Sequence, residues 1–90
     1  MAFRFAYTPR FQRHFNELTK QEKTQVKKKL ELLADNPAHP SLRTKRIQGT
    51  DDLYESSINM DIRIVWYYDE HPIISLVDVG HHDILKTILG

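Results

Sequence analysis

LYESSINMDIRIVWYYDEHPIISLVDVGHHD, Leu53 to Asp83, is the stretch that decides the fold. It reads as three consecutive strands ending in a polar cluster. Within it, Ile62 to Tyr68 (IRIVWYY) is apolar or aromatic everywhere except Arg63. A half-exposed strand would alternate, so this run predicts an inner strand covered on both faces. Its one arginine must lie in a groove or be paired, because an uncompensated buried charge is too costly. The next strand, Ile73 to Val79, runs into Gly80-His81-His82-Asp83, three ionisable side chains in a row at a strand end. Arg63 and this His-His-Asp terminus form the candidate site.

The segments outside this stretch supply its cover. Phe3, Phe5 and Tyr7 alternate with Ala2, Arg4 and Ala6, a short half-exposed strand. Thr8-Pro9 reads as a helix start, with Thr8 as N-cap and Pro9 at the first helical position. Phe11, Phe15 and Leu18 then make one apolar stripe. Thr19-Lys20-Gln21-Glu22 fits a capping box and opens a second helix. Its stripe is Val26, Leu30 and Leu33, widened by Leu32 and Ala34, and Asn36-Pro37 stops it. Pro37 and Pro40 frame a rigid loop. A basic strand, Arg43 to Gln48, a turn at Gly49 to Asp52 and a strand from Leu53 to Asn59 lead into the inner strand. Ile84 to Leu89 is expected to form a short terminal helix. The expected order is β-α-α-β-β-β-β, an α+β fold with an antiparallel sheet and a helical hairpin on one face.

Ninety residues predict a single domain, 1–90, with a modest core. No cysteine is present, which excludes a disulfide scaffold, a thiol nucleophile and Cys-type zinc sites. The opening MAFRFAYTPRF has no long apolar run, so neither a signal peptide nor a membrane span is expected, and the default is a soluble cytoplasmic protein. The net charge of +1 hides an asymmetry: residues 1–48 carry +7 and residues 49–90 carry −6. Such a split points to a polyanion or an acidic partner on one side. Lys27-Lys28-Lys29 by itself reads more simply as a solvated helix face.

Glycine-rich phosphate loops, G-x-S-x-G and H-E-x-x-H are all absent from the sequence. What remains is basic and imidazole chemistry. Metal-free RNA cleavage needs a base for the 2′-hydroxyl proton, a cation for the phosphorane charge and an acid for the leaving oxygen. Histidine suits proton transfer near neutrality, and arginine's planar fork suits phosphate oxygens. Arg63, His81, His82 and Lys45 would supply these functions if the sheet gathers its polar ends. Plainer readings stand beside each. Arg63 would pair with Asp61 or Glu55; the histidines would cap the sheet, at most one of them facing the groove. Tyr54, Trp66, Tyr67 and Tyr68 would be core aromatics rather than base-stacking platforms. His81-His82-Asp83 lacks the second ligand pair of a metal site, so no metal or cofactor is expected.

The element order, FRFAYTPRFQRHFNEL, NPAHPSLRTKRIQG, LYESSINMDIRIVWYY and VDVGHHDIL together resemble the RelE/ParE superfamily of type II toxin–antitoxin toxins. The resemblance spans nearly the whole chain. It implies a ribosome-dependent mRNA endonuclease neutralised by a cognate antitoxin (the RelE-like activity) or a DNA gyrase inhibitor (the ParE-like one). A decayed toxin kept only as an antitoxin-binding module is the third expectation. Arg63 matches the inner-strand arginine that RelE-like toxins place on the scissile phosphate. His82 matches the catalytic histidine of the YafQ-type branch, with His81 as its understudy, and Asp61 matches that branch's hairpin aspartate. Lys45 falls before I-x-G, where that branch has a histidine, and is expected as base or phosphate anchor. Arg43, Arg46 and Tyr54 are expected to contact RNA. Glu55 and Ser57 depart from the pattern, standing where RelE-like members carry lysines or YafQ-type members a histidine. The C-terminal aromatic of the family is also missing, with Lys86 and Ile88 in that region.

Overall fold

A computed structural model describes residues 2–81. The elements run β1 (Arg4–Tyr7), α1 (Pro9–Asn16), α2 (Lys20–Asp35), a 3-10 turn (Pro40–Leu42), β2 (Lys45–Arg46), β3 (Tyr54–Ser57), β4 (Ile62–Tyr68) and β5 (Ile73–His81). The expected α+β order is borne out. The expected terminal helix, together with His82 and Asp83, lies outside the described residues.

Both helix starts follow their local chemistry. The Thr8 hydroxyl accepts from the Phe11 N–H at 3.1 Å, with Pro9 opening α1. At α2 the capping box closes both ways: Thr19 Oγ1 accepts from the Glu22 N–H at 3.1 Å, and Glu22 Oε1 accepts from the Thr19 N–H at 2.8 Å.

The five strands form one sheet in the order β1-β5-β4-β3-β2, so the IRIVWYY run is its centre. Strands β2 to β5 are antiparallel, as expected, whereas β1 lies parallel to β5, from Arg4 opposite Ile73 to Tyr7 opposite Leu76. Where β1 stops, α1 takes over the edge of β5. The Thr8 hydroxyl donates to the carbonyls of Leu76 and Val77, at 2.8 and 3.0 Å.

The β2 strand is shorter than the six residues expected. Arg43 closes the 3-10 turn in the left-handed region, φ 47°, so pairing begins only at Lys45. After Arg46, Thr50 folds back on the Ile47 carbonyl, and Gly49 takes φ 89°, a backbone suited to glycine.

The two faces of β4 do different work. Ile62, Ile64 and Trp66 point to the helices, where Phe11, Val26, Leu30 and Leu33 close the main core. Val65 points the other way, into a small cluster with Ile47, Leu53 and Val77. Trp66 is fully buried, and its indole N–H donates to Ser56 Oγ at 2.9 Å, which in turn meets Thr44 Oγ1 at 2.7 Å. A buried indole without such a partner would lose its desolvation cost unrepaid.

A bulge in the β4–β5 pairing leaves Val77 unmatched between Leu76 opposite Trp66 and Asp78 opposite Val65. Just beyond it sits the most buried charge of the described residues. Asp78 is fully buried, accepts from Arg10 Nε at 2.7 Å and from the Val79 N–H at 2.8 Å, and contacts His14 Nδ1. Arg10 and His14 stand one turn apart on α1, so one carboxylate fastens the helix to the sheet edge. No part of this cluster was singled out from sequence.

Two substitutions test these ties by chemical denaturation. Ser56→Ala strands the indole N–H and should cost about 1–3 kcal/mol; no measurable loss would show that Ser56 is dispensable. Asp78→Ala should cost about 3 kcal/mol, the low end for breaking a buried pair because Arg10 and His14 remain partly solvated, and should speed amide exchange in α1. A loss below about 1 kcal/mol would contradict that role for Asp78.

Candidate nucleic-acid interface

Arg63 occupies the central strand on the face away from the main core, opposite Ser57 on β3 and Gly80 on β5. Small neighbours on both sides leave room for the guanidinium. It pairs with neither Asp61 nor Glu55. Instead Nη1 donates to the carbonyls of Asn59, Met60 and Ile62, at 2.7, 3.2 and 3.2 Å. Those contacts pin one nitrogen to the β3–β4 turn, while Nε and Nη2 make no hydrogen bond among the described residues. Asn59 shapes the turn, its Oδ1 accepting from the N–H groups of Asp61 and Ile62. Asp61 itself is exposed in this turn and takes no part in an ion pair with Arg63.

Arg63 lines an open cavity of about 310 Å³ together with Lys29, Arg43, Ser41, Ser57 and Asn59, and among the described residues no acid lines it. Three cations around one depression make a site for an anion by simple Coulomb attraction. Lys29 is steadied by the Ser41 carbonyl at 3.3 Å. Arg43 reaches this cavity from its left-handed backbone position, a conformation that costs a non-glycine residue about 1–2 kcal/mol.

Lys45 and Glu55 face each other across β2 and β3, on the same side of the sheet as Ser57 and Arg63 by strand alternation. Lys45 Nζ lies 3.2 Å from Glu55 Oε1, its side chain 72% exposed against 6% for the glutamate. Of the two roles expected for Lys45, base or phosphate anchor, the contact with Glu55 favours the anchor, since the pair holds the amine as a cation.

The remaining expected residues separate from this group. Arg46 pairs with Tyr54 in the alternate register. Tyr54 stacks on Trp66, with ring centroids 4.9 Å apart, and meets Tyr68 edge-on at 5.6 Å. Its ring belongs to the aromatic wall of the main core, so it does not share the Arg63 face. His81 is opposite Ile62 and lies 3.6 Å from Glu22 Oε2 at the start of α2. That contact and the pairing with Ile62 place His81, the understudy, on the helix side of the sheet. Glu22 is held below the usual carboxylate range, first by the Thr19 N–H and in smaller part by His81. His82 lies outside the described residues. No group of three His, Asp or Glu capable of holding a metal gathers among the described residues, and no described helix is long and apolar enough to cross a membrane.

Comparison with known proteins places this geometry. No curated protein matches the chain. Among solved structures it resembles the archaeal RelE of the RelE–RelB complex from Pyrococcus horikoshii OT3, at 16% identity and TM-score 0.74, over 90% of this chain and 96% of that one. YafQ from E. coli strain BL21(DE3) superposes with TM-score 0.76 at 14% identity, over 92% of this chain and 97% of that one. A double mutant of the E. coli toxin RelE in the free state gives TM-score 0.76 at 21% identity, over 99% and 93%. These likenesses establish the fold. The profile of the ParE toxin of type II toxin–antitoxin systems (parDE) matches residues 5–85. The chain therefore belongs to the RelE/ParE superfamily of type II toxins.

Proposed function

We propose that this toxin is a ribosome-dependent mRNA endonuclease that cleaves by metal-independent 2′-hydroxyl attack and thereby inhibits translation. The observation that carries the reading is Arg63: one nitrogen is tied to the turn, and among the described residues the Nε–Nη2 edge has no hydrogen-bond partner and the cavity holds Lys29 and Arg43 but no acid. A guanidinium so pre-positioned can meet the charge of a pentacoordinate phosphorane without reorganising at the moment of reaction. Lys45 anchors a neighbouring phosphate, Arg43 holds the RNA backbone at the cavity, Arg46 meets it from the other face of the β2 edge, and His82 is the acid for the leaving oxygen. Asp61 stays near the turn as a positioning group. The whole chain, 1–90, acts as one toxin domain in the cytoplasm and is neutralised in a hetero-oligomer with a cognate antitoxin.

A second reading has its own support. The family profile that matches is ParE, whose RelE-like relatives enter only through the fold, so gyrase inhibition is the competing activity. It needs no acid at the strand end and no unpaired arginine edge. Accumulated DNA cleavage complexes with intact mRNA would select it.

Arg63→Ala should relieve growth arrest on expression without antitoxin while the purified protein still melts cooperatively; full toxicity in this variant would end Arg63's role. Arg43→Gly separates binding from folding. Releasing the left-handed strain should leave stability unchanged or raised by up to about 1 kcal/mol, while RNA affinity falls and its salt slope drops by about 1. An unaltered salt slope would remove Arg43 from the interface.

A further inference from the structure

Glu55 is harder to explain than any other side chain described. It is buried, and its Oε2 is the one buried side-chain polar atom among the described residues that has no hydrogen-bond partner. Its single ionic contact among the described residues is Lys45 through Oε1, and that lysine is largely solvated. An exposed lysine contributes little to such a pair, too little to offset the desolvation of a buried carboxylate. A glutamine would keep the acceptor for Lys45 and remove the charge, so packing alone does not account for a glutamate. An orphaned buried polar group calls for a functional explanation.

Position supplies one. Glu55 is opposite Val65, and Arg63 lies two residues back along β4 on the same face. Such diagonal neighbours are roughly 7–8 Å apart, close enough for one nucleotide to reach both. We propose that Glu55 is the general base of the cleavage reaction, released by the substrate itself; the proposal rests on the nuclease reading above. The incoming RNA phosphate draws the Lys45 ammonium away from Oε1. Oε1 is then free of its cation and Oε2 has no hydrogen-bond partner among the described residues, so the carboxylate can accept a proton. It takes the 2′-hydroxyl proton as O2′ forms its bond to phosphorus. The bond from phosphorus to O5′ breaks, and the leaving oxygen receives its proton from the acid assigned to His82. The products are a 2′,3′-cyclic phosphate and a 5′-hydroxyl end, and Glu55 returns its proton to water. Lys45 holds the resting base and guides the phosphate, and transfers no proton.

The test is single-turnover cleavage of a defined mRNA on programmed ribosomes, at saturating wild-type toxin and at saturating Glu55→Gln. Removing a general base should slow the saturated rate by about 100-fold or more. Ribosome affinity should hold within about threefold, and the melting temperature should be equal to or above wild type. A Glu55→Gln protein cleaving within about threefold of wild type overturns the proposal while leaving the nuclease reading intact. A wild type that cuts no mRNA overturns both. If Glu55→Gln melts lower than wild type, Glu55→Ala with added formate decides. Recovery of cleavage by the small carboxylate supports Glu55 as base, and absence of recovery overturns it.

Discussion

The central strand has to satisfy two opposite surroundings with one backbone, and the rest of the molecule is arranged around that demand. On its inner side Trp66 fills the core beneath both helices, and its N–H ends on the Ser56–Thr44 pair. On its outer side Arg63 would be a buried charge in any broader sheet. Two features prevent that. Ser57 and Gly80 flank it with almost no side chain, and β2 is too short to extend alongside it. The indole fixes where the strand sits, and the small neighbours keep the guanidinium reachable. Stability and site thus belong to alternate residues of a single strand.

Electrostatics continue the same division. The chain's cations are concentrated in its first half and its acids in its second. Folding spends two of those acids internally, Asp78 against Arg10 and His14, and Glu55 against Lys45. Lys29, Arg43 and Arg63 are left around a cavity that no acid among the described residues lines. Asp78 therefore does more than tie a helix down, since its charge is taken up by Arg10, remote from the groove. Arg43 extends the pattern, because its strained backbone brings a third cation to the cavity at a cost in stability.

Much of this was legible in the chain because it is local. The unbroken apolar run named the central strand, and the two capping threonines named both helix starts. What escaped is set by pairing between distant segments. The parallel partner of β1 depends on a crossover that periodicity does not encode, and the bulge at Val77 re-registers β5 with no mark in the sequence. The Asp78 cluster left a faint signal: a lone acid within ISLVDV, and a polar Arg10–His14 pair one turn apart on a helix otherwise read for its apolar stripe. Alternation limited the groove to one of His81 and His82, and the register then turned His81 toward Glu22. Glu55 read as a departure from the family pattern. Only its burial, with one oxygen unpartnered, gave it a chemical meaning.

Transcriptome-wide mapping of mRNA 5′ ends, after controlled expression of the toxin in a bacterial host without antitoxin, tests the central claim most directly. A metal-independent 2′-hydroxyl attack on the ribosome predicts new 5′-hydroxyl ends confined to translated frames and absent when translation is blocked beforehand. Growth arrest with no new ends would contradict the nuclease account and transfer the toxin's target to gyrase.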